Sequence, residues 1–330
     1  MKSLINYIQE KLVIKKKETV NYNYFPQTKK ELQDIIKQRI EQEGANANLN
    51  DIDTSNITDM SHLFDGIMII FNGDISGWDV SNVEDMSRMF YECKKFNCDI
   101  SNWDVSNVKN MDSMFDGCTL FNQDISNWNV SNVNNMDSMF SNCKLFNQDL
   151  SNWDVSNVTA MAFMFYECAN FNGDISNWDV SNVKDMRHMF VKCKLFNQDL
   201  SNWDVSNVTT MTFMFYECAN FNGDISNWDV SNVKSMQATF RGCKKFNQDI
   251  SKWNVSSVVT MGQMFFKCID FNQDISNWDV SNVKDMEWMF CECKKFNQDI
   301  SNWNVSNVIN PKYMFDYCQI EDKYKPKFSI

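Results

Sequence analysis

The sequence predicts a repeat solenoid of α/β type, with short parallel strands plus one short helix in each 25-residue turn and an N-terminal α-helical cap. Three observations carry this. Phe71, Phe96, Phe121, Phe146, Phe171, Phe196, Phe221, Phe246, Phe271 and Phe296 open successive copies of one 25-residue unit without insertion or deletion. The aromatic residues keep register, with ten Trp from Trp78 to Trp303 and ten Phe from Phe90 to Phe315. Within each unit the hydrophobic period changes once, from strand-like to helix-like.

The elements follow in chain order. Residues 4–14 place Leu4, Ile5, Ile8 and Leu12 on one face of a short amphipathic helix, and residues 1–23 read as that helix plus a linker. Residues 24–45 read as a helical cap. Thr28 and Glu31 form a capping box, Leu32, Ile35, Ile36 and Ile40 form one apolar stripe, and Gly44 is the stop. A solenoid needs such an atypical terminal unit to cover its open end. Residues 46–320 carry eleven copies, the first a degenerate one recognisable from Ser55 to Phe64 and one residue out of step. Residues 321–330 are left as a C-terminal tail.

In the copy that starts at Phe121, Asp124 to Val130 suits one or two very short strands, with Ile125 and Val130 flanking Trp128. Met136, Met139, Phe140 and Cys143 fall at i, i+3, i+4 and i+7, one face of a short helix. Eleven such turns at strand spacing would make a rod roughly 50 Å long. The inward set is what does not change between copies: Phe121, Ile125, Trp128, Val130, Val133, Met136, Met139, Phe140 and Cys143.

Composition narrows the function. A net charge of −12 argues against binding a phosphate backbone, so nucleic acid is not expected as a partner. Ten of the twelve cysteines fall once per copy at one place, which is the pattern of a small buried residue and not of a disulfide framework or zinc site. Gln9, Glu10 and Lys11 interrupt what a signal peptide would keep apolar, and no stretch is long and apolar enough for a membrane span. Together these point to an intracellular, cytoplasmic protein ahead of one on the cell surface.

Polar positions repeat as strictly as apolar ones. The ladder Asp74, Asp99, Asp124 to Asp299 is expected to accept backbone N–H groups at corners. Calcium, the alternative, goes with Gly-rich repeats, and this unit has no obligatory Gly. No nucleophile–base pair, phosphate loop or His-centred site stands out, so neither catalysis nor a cofactor or metal is expected.

The pattern Phe-Asn-x-Asp-Ile-Ser-x-Trp-Asp-Val-Ser-Asn-Val-x-x-Met-x-x-Met-Phe-x-x-Cys resembles the repeat of the BspA-like leucine-rich-repeat surface proteins. It is also similar to a repeat of mycoplasma lipoproteins and of some large viruses and phages. Residues 28–44 and 50–57 resemble that family's lead-in, and the resemblance covers about residues 24–320. It implies a leucine-rich-repeat-like solenoid with a role in adhesion or protein recognition, and no catalytic residues.

Function should then sit where copies differ. One variable register holds Glu84, Lys109, Asn134, Thr159 and Lys184, and another holds Arg88, Ser113, Ser138, Phe163 and His188. Tyr91, Phe163, Tyr166, Phe213, Tyr216, Phe266, Trp288 and Tyr313 are aromatic although they lie off the core stripe, and they are the candidate partner-binding residues on the helix side. The competing expectations are flank packing between neighbouring helices, and duplication. Residues 146–170 and 196–220 differ only at Ala160/Thr210 and Ala162/Thr212, so Phe213 and Tyr216 can be copies of Phe163 and Tyr166. The expected function is a protein-interaction scaffold working through a lateral face. The alternative is a structural or adhesive component, such as part of a virus or phage particle or a surface adhesin, as a monomer or joined end to end.

Overall fold

The computed structural model describes residues 21–65 and 70–328, so the amphipathic helix expected at residues 4–14 lies outside the described residues. The chain first forms helix α1, Lys29–Glu43. Thr28 caps it, accepting from the Glu31 N–H at 3.2 Å, while the Glu31 carboxylate reaches back to the Gln27 N–H at 2.7 Å. Leu32 and Ile36 are buried against the first coil, with Ile35 and Ile40 half-buried beside them. Gly44, at φ +86°, ends the helix by donating to the Ile40 carbonyl, a conformation open to glycine at no steric cost.

Every coil after that is built from turns and not from the strand and helix that the periodicity suggested. In the copy from Phe121, the Asp124 carboxylate accepts the Ser126 N–H at 3.0 Å, and the Asn129 side chain does the same for Ser131 at 3.2 Å. An isolated parallel bridge between most neighbouring coils, such as Asn110 to Asn135, stands in for a strand. The stretch expected to be helical makes three successive i→i−3 turns, with Met139 donating to Met136, Ser141 to Ser138 and Cys143 to Phe140. Between them Ser138 and Asn142 are left-handed, at φ +54° and +61°, which no helix can include. The alternate N–H groups of this stretch go to the next coil instead of four residues back. The spacing i, i+3, i+4, i+7 still puts the same side chains inward, which is why periodicity alone could not separate the two.

All nine residues of the inward set in this coil are buried. The rings form continuous ladders: Phe115 and Phe140 are 5.8 Å apart at 7°, Phe121 and Phe146 are 5.9 Å apart at 7°, and Phe140 meets Phe146 at 4.2 Å. The buried polar atoms are matched between coils. The Trp128 indole N–H donates to the Ile100 carbonyl at 3.1 Å, and the Cys143 thiol to the Phe115 carbonyl at 3.1 Å. A thiol suits this place because it is small, apolar in bulk and still a weak donor.

The first copy's extra residue lies between Phe64 and Phe71, seven positions apart, where Phe90 and Phe96 are six apart. Phe64 nonetheless stacks on Phe71 at 4.4 Å and on Phe90 at 5.2 Å. At the other end, a 3-10 turn, Asp322–Tyr324, lies on the last coil, with the Ile300 N–H donating to the Tyr324 carbonyl at 3.0 Å.

Burial decides what the cysteines do. Desolvation pushes the Cys93 thiol up to about 12 and the Cys118 and Cys143 thiols well above their ordinary value, so the nucleophilic thiolate does not form. Ten of the twelve are buried, and Cys98 and Cys318 are half-buried. A thiol reagent at mild alkaline pH should therefore modify only Cys98 and Cys318 in the folded protein and all twelve in denaturant. Fast modification of the ladder cysteines in the folded state would contradict this packing.

Candidate lateral recognition site

The strictly repeated polar residues are consumed by structure. Asp74, Asp99 and their successors each accept the N–H of the Ser two residues on, as Asp99 does from Ser101 at 3.0 Å. Each Asn of the Asn72 register accepts the backbone N–H of the next coil, as Asn97 does from Asn122 at 2.9 Å. The Asn82 register donates backwards to a Ser carbonyl, as Asn132 does to Ser106 at 2.6 Å. Among the described residues no three His, Cys, Asp or Glu side chains gather to hold a metal ion, and no helix is long and apolar enough to cross a membrane.

The variable positions behave differently. Arg88, Ser113, Ser138, Phe163, His188, Phe213, Gln263, Trp288 and Tyr313 all sit at the left-handed turn residue, φ +54° to +61°. This conformation costs a residue with a Cβ roughly 1–2 kcal/mol, and here it sets the varied side chains in one row along the coil. Three residues on runs a second row, with Tyr91, Tyr166, Val191, Tyr216, Arg241 and Phe266.

The eight sequence-predicted residues fall into three groups on these rows. Phe163 and Phe213 sandwich His188, with ring centroids 4.4 and 5.0 Å away, and each leans on its own Tyr166 or Tyr216 at 5.9 and 5.6 Å. Phe266, Trp288 and Tyr313 form a second cluster, at 5.7 and 4.9 Å. Tyr91 stands apart under the Arg88 guanidinium, 4.0 Å from its ring centre. Phe266 is buried and serves as packing, Tyr313 is exposed, and the other six are half-buried. They flank turns and not helices, so the expected helix side is a turn side.

Arg241 joins the first two clusters. Its guanidinium lies 5.3 Å from the Tyr216 ring centre and 4.5 Å from that of Phe266, and it bonds to the Gln263 side chain. Among the described residues it meets no carboxylate. Between Tyr166, Tyr216, Phe213, His188, Arg241 and Gln263 lies a groove of about 420 Å³, with Val191 and Lys192 completing its lining. The groove exists because Val191, buried, stands between two tyrosines where a third would fill it. Lys192 is held aside by Glu167 at 2.7 Å, and Glu167 in turn binds Lys144 at 2.5 Å, which keeps that carboxyl below the usual range. His188 is pushed towards its neutral form by burial first and by Arg187 second. Arg241, Gln263 and Val191 were missed in the sequence reading. The available signal was a small or charged residue interrupting an aromatic register, visible only with the copies aligned in two adjacent rows.

Among curated proteins, none matches this chain in sequence. Solved structures with limited likeness include a leucine-rich cell surface protein from Faecalibacterium prausnitzii, 12% identical, covering 66% of this chain and 82% of that one at a TM-score of 0.27. A leucine-rich-repeat protein of Leptospira interrogans is 8% identical, covering 86% of this chain and 74% of that one at 0.23. Overlaps this slight carry no argument about function. The sequence match to a family is far more extensive: a mycoplasma repeat family matches residues 31–153, 134–243 and 217–326, in keeping with the resemblance read from the repeat. By that match, which takes in nearly the whole array, the chain belongs to the family described as Mycoplasma protein of unknown function, DUF285.

Proposed function

We propose that this chain is a non-enzymatic scaffold that recognises a protein partner through the lateral rows of left-handed turn residues, with the groove between Tyr166 and Tyr216 at its centre. The observation that carries this reading is where the variation falls. The core rings and the Asp and Asn of the corners are nearly constant from coil to coil, while the two rows that vary gather half-buried aromatic side chains around a groove. Tyr, Trp and Arg are the residue types that dominate binding energy at interfaces. Arg241, without a carboxylate of its own, suits a partner segment that offers an acidic group beside an apolar side chain.

The test is capture from the native host with the wild type and with the combined variant Phe163→Ser, Tyr166→Ser, Phe213→Ser and Tyr216→Ser. Residues of this kind cost about 2 kcal/mol or more each when they are hot spots, so even one of them weakens affinity about 30-fold. A specific partner lost by the folded variant supports the reading, and the same partner retained removes this site. A second reading, a structural or adhesive component, draws on the Phe163–His188–Phe213 stack, in which the duplicated phenylalanines pack on the histidine between them. It predicts that the four-site variant loses stability and no partner.

A further inference from the structure

On one side of every coil the backbone N–H groups point the same way. Met136, Ser138, Phe140 and Asn142 donate to the carbonyls of Ala160, Ala162, Met164 and Tyr166 in the next coil, at 2.7–2.9 Å. The pattern starts where Met60, His62 and Phe64 donate to Asp85, Ser87 and Met89. It ends where Trp288, Phe290 and Glu292 donate to Lys312, Met314 and Asp316. Residues 319–330 leave the 25-residue pattern, and among the described residues no further coil meets the donors of the last one. The N–H groups of Tyr313, Phe315 and Tyr317 meet no acceptor among the described residues, and the fourth donor position is Pro311, which has no N–H to leave unpaired. Around this edge Ile309, Tyr313 and Tyr317 are 82%, 53% and 75% exposed.

The opposite end has the complementary deficit. Ser61 and Leu63 occupy the positions at which Ser87 and Met89 accept from the preceding coil, and their carbonyls accept nothing among the described residues. Helix α1 lies over that end. The Lys29 ammonium binds the Ser61 hydroxyl at 2.6 Å and Asp59 at 3.1 Å, and the Gln33 amide reaches the His62 carbonyl at 3.4 Å. Leu32 and Ile36 share the buried cluster with Met60, Leu63 and Phe64.

We propose that the two ends of the array are surfaces for one another in a second copy of this chain, and that α1 is the plug that prevents copies from stacking head to tail. The occupant follows from hydrogen-bond complementarity. Tail-to-tail contact would set donors against donors along this edge. The carbonyl edge of another copy would place Tyr313 and Phe315 opposite Ser61 and Leu63, in the register that every internal pair of coils uses. Such a contact is heterologous and does not close on itself, so copies freed of the plug extend into filaments.

The test is sedimentation velocity and negative-stain microscopy of full chains carrying Leu32→Ser with Ile36→Ser, beside the wild type. Far-UV circular dichroism and thiol protection check the fold. The expected result is unbranched polymers that lengthen with concentration. Adding Tyr313→Asp and Tyr317→Asp, which bring carboxylates against the Asp59 and Asp65 end, should return single rods. Intact wild type keeps its donor edge but not its acceptor edge, so it should act as a chain stopper. At one wild-type chain per ten released chains the mean length should settle near about ten copies. Released chains that stay single overturn the proposal, as do aggregates that survive the Asp pair and ignore added wild type. If the apolar pair of substitutions prevents folding, Lys29→Ala with Gln33→Ala loosens only the polar holds and is read in the same way at higher concentration.

Discussion

Phe140→Ala should lower stability by about 3–5 kcal/mol, the loss expected for a fully buried phenylalanine, read as a fall in the urea midpoint. Phe140 is wholly buried and meets rings on both sides: Phe115 at 5.8 Å, Phe165 at 5.7 Å and Phe146 at 4.2 Å. Truncation therefore weakens two coil interfaces at once. In an array where each unit touches only its neighbours, a break in the middle divides the rod. The same change at Phe315, which is half-buried and stacks on Phe290 at 5.9 Å, should cost about half as much by the same rule. Equal losses at the two positions, or a loss below about 1 kcal/mol at Phe140, would mean that the ladder does not hold the coils together.

Acid should destabilise the protein. In Asp124, Asp154, Asp204, Asp249 and Asp279, hydrogen bonds from the serine two residues on, hydroxyl first and N–H second, hold the carboxyl below its usual range. A carboxyl whose folded value is depressed contributes stability that is fully present above the unfolded value, about 3.9. That contribution is lost as pH falls through the lower folded value. Asp116 and Asp137 run the other way, because burial raises them, and they favour the folded state as they take up protons. They are two against the five just named and Asp74, Asp99 and Asp299, which are lowered as well. The melting temperature should hold from pH 7 to 5 and drop by about 10 °C or more towards pH 3. A melting temperature that is flat or rising from pH 5 to 3 would contradict the account of the corners.

These contrasts show what the sequence made legible. The inward set was readable because Trp128, Phe140 and Cys143 sit where nothing varies, and the structure buries all three. The cap was readable because Thr28, Glu31 and Gly44 carry local chemistry that works without tertiary context. The Asp corners were readable because Asp-x-Ser is itself a turn signal. The helix was misread at Met136–Cys143, since left-handed turns at Ser138 and Asn142 carry no glycine to announce them, and only inter-coil hydrogen bonding selects them. Of the candidate site, the aromatic residues were visible one by one. The groove over Val191 and the part of Arg241 depend on side chains a coil or more apart, beyond the reach of any local pattern.

The most direct test of lateral recognition is photo-crosslinking in the native host, with a photo-reactive residue placed at Gln263 beside the groove or at exposed Asn157 in the backward-donating asparagine row. The account predicts a discrete protein adduct from the Gln263 position, absent when Arg241→Gln and Tyr216→Ser are added, and none from Asn157. An adduct from Asn157 alone, or from both positions regardless of the groove substitutions, would contradict it.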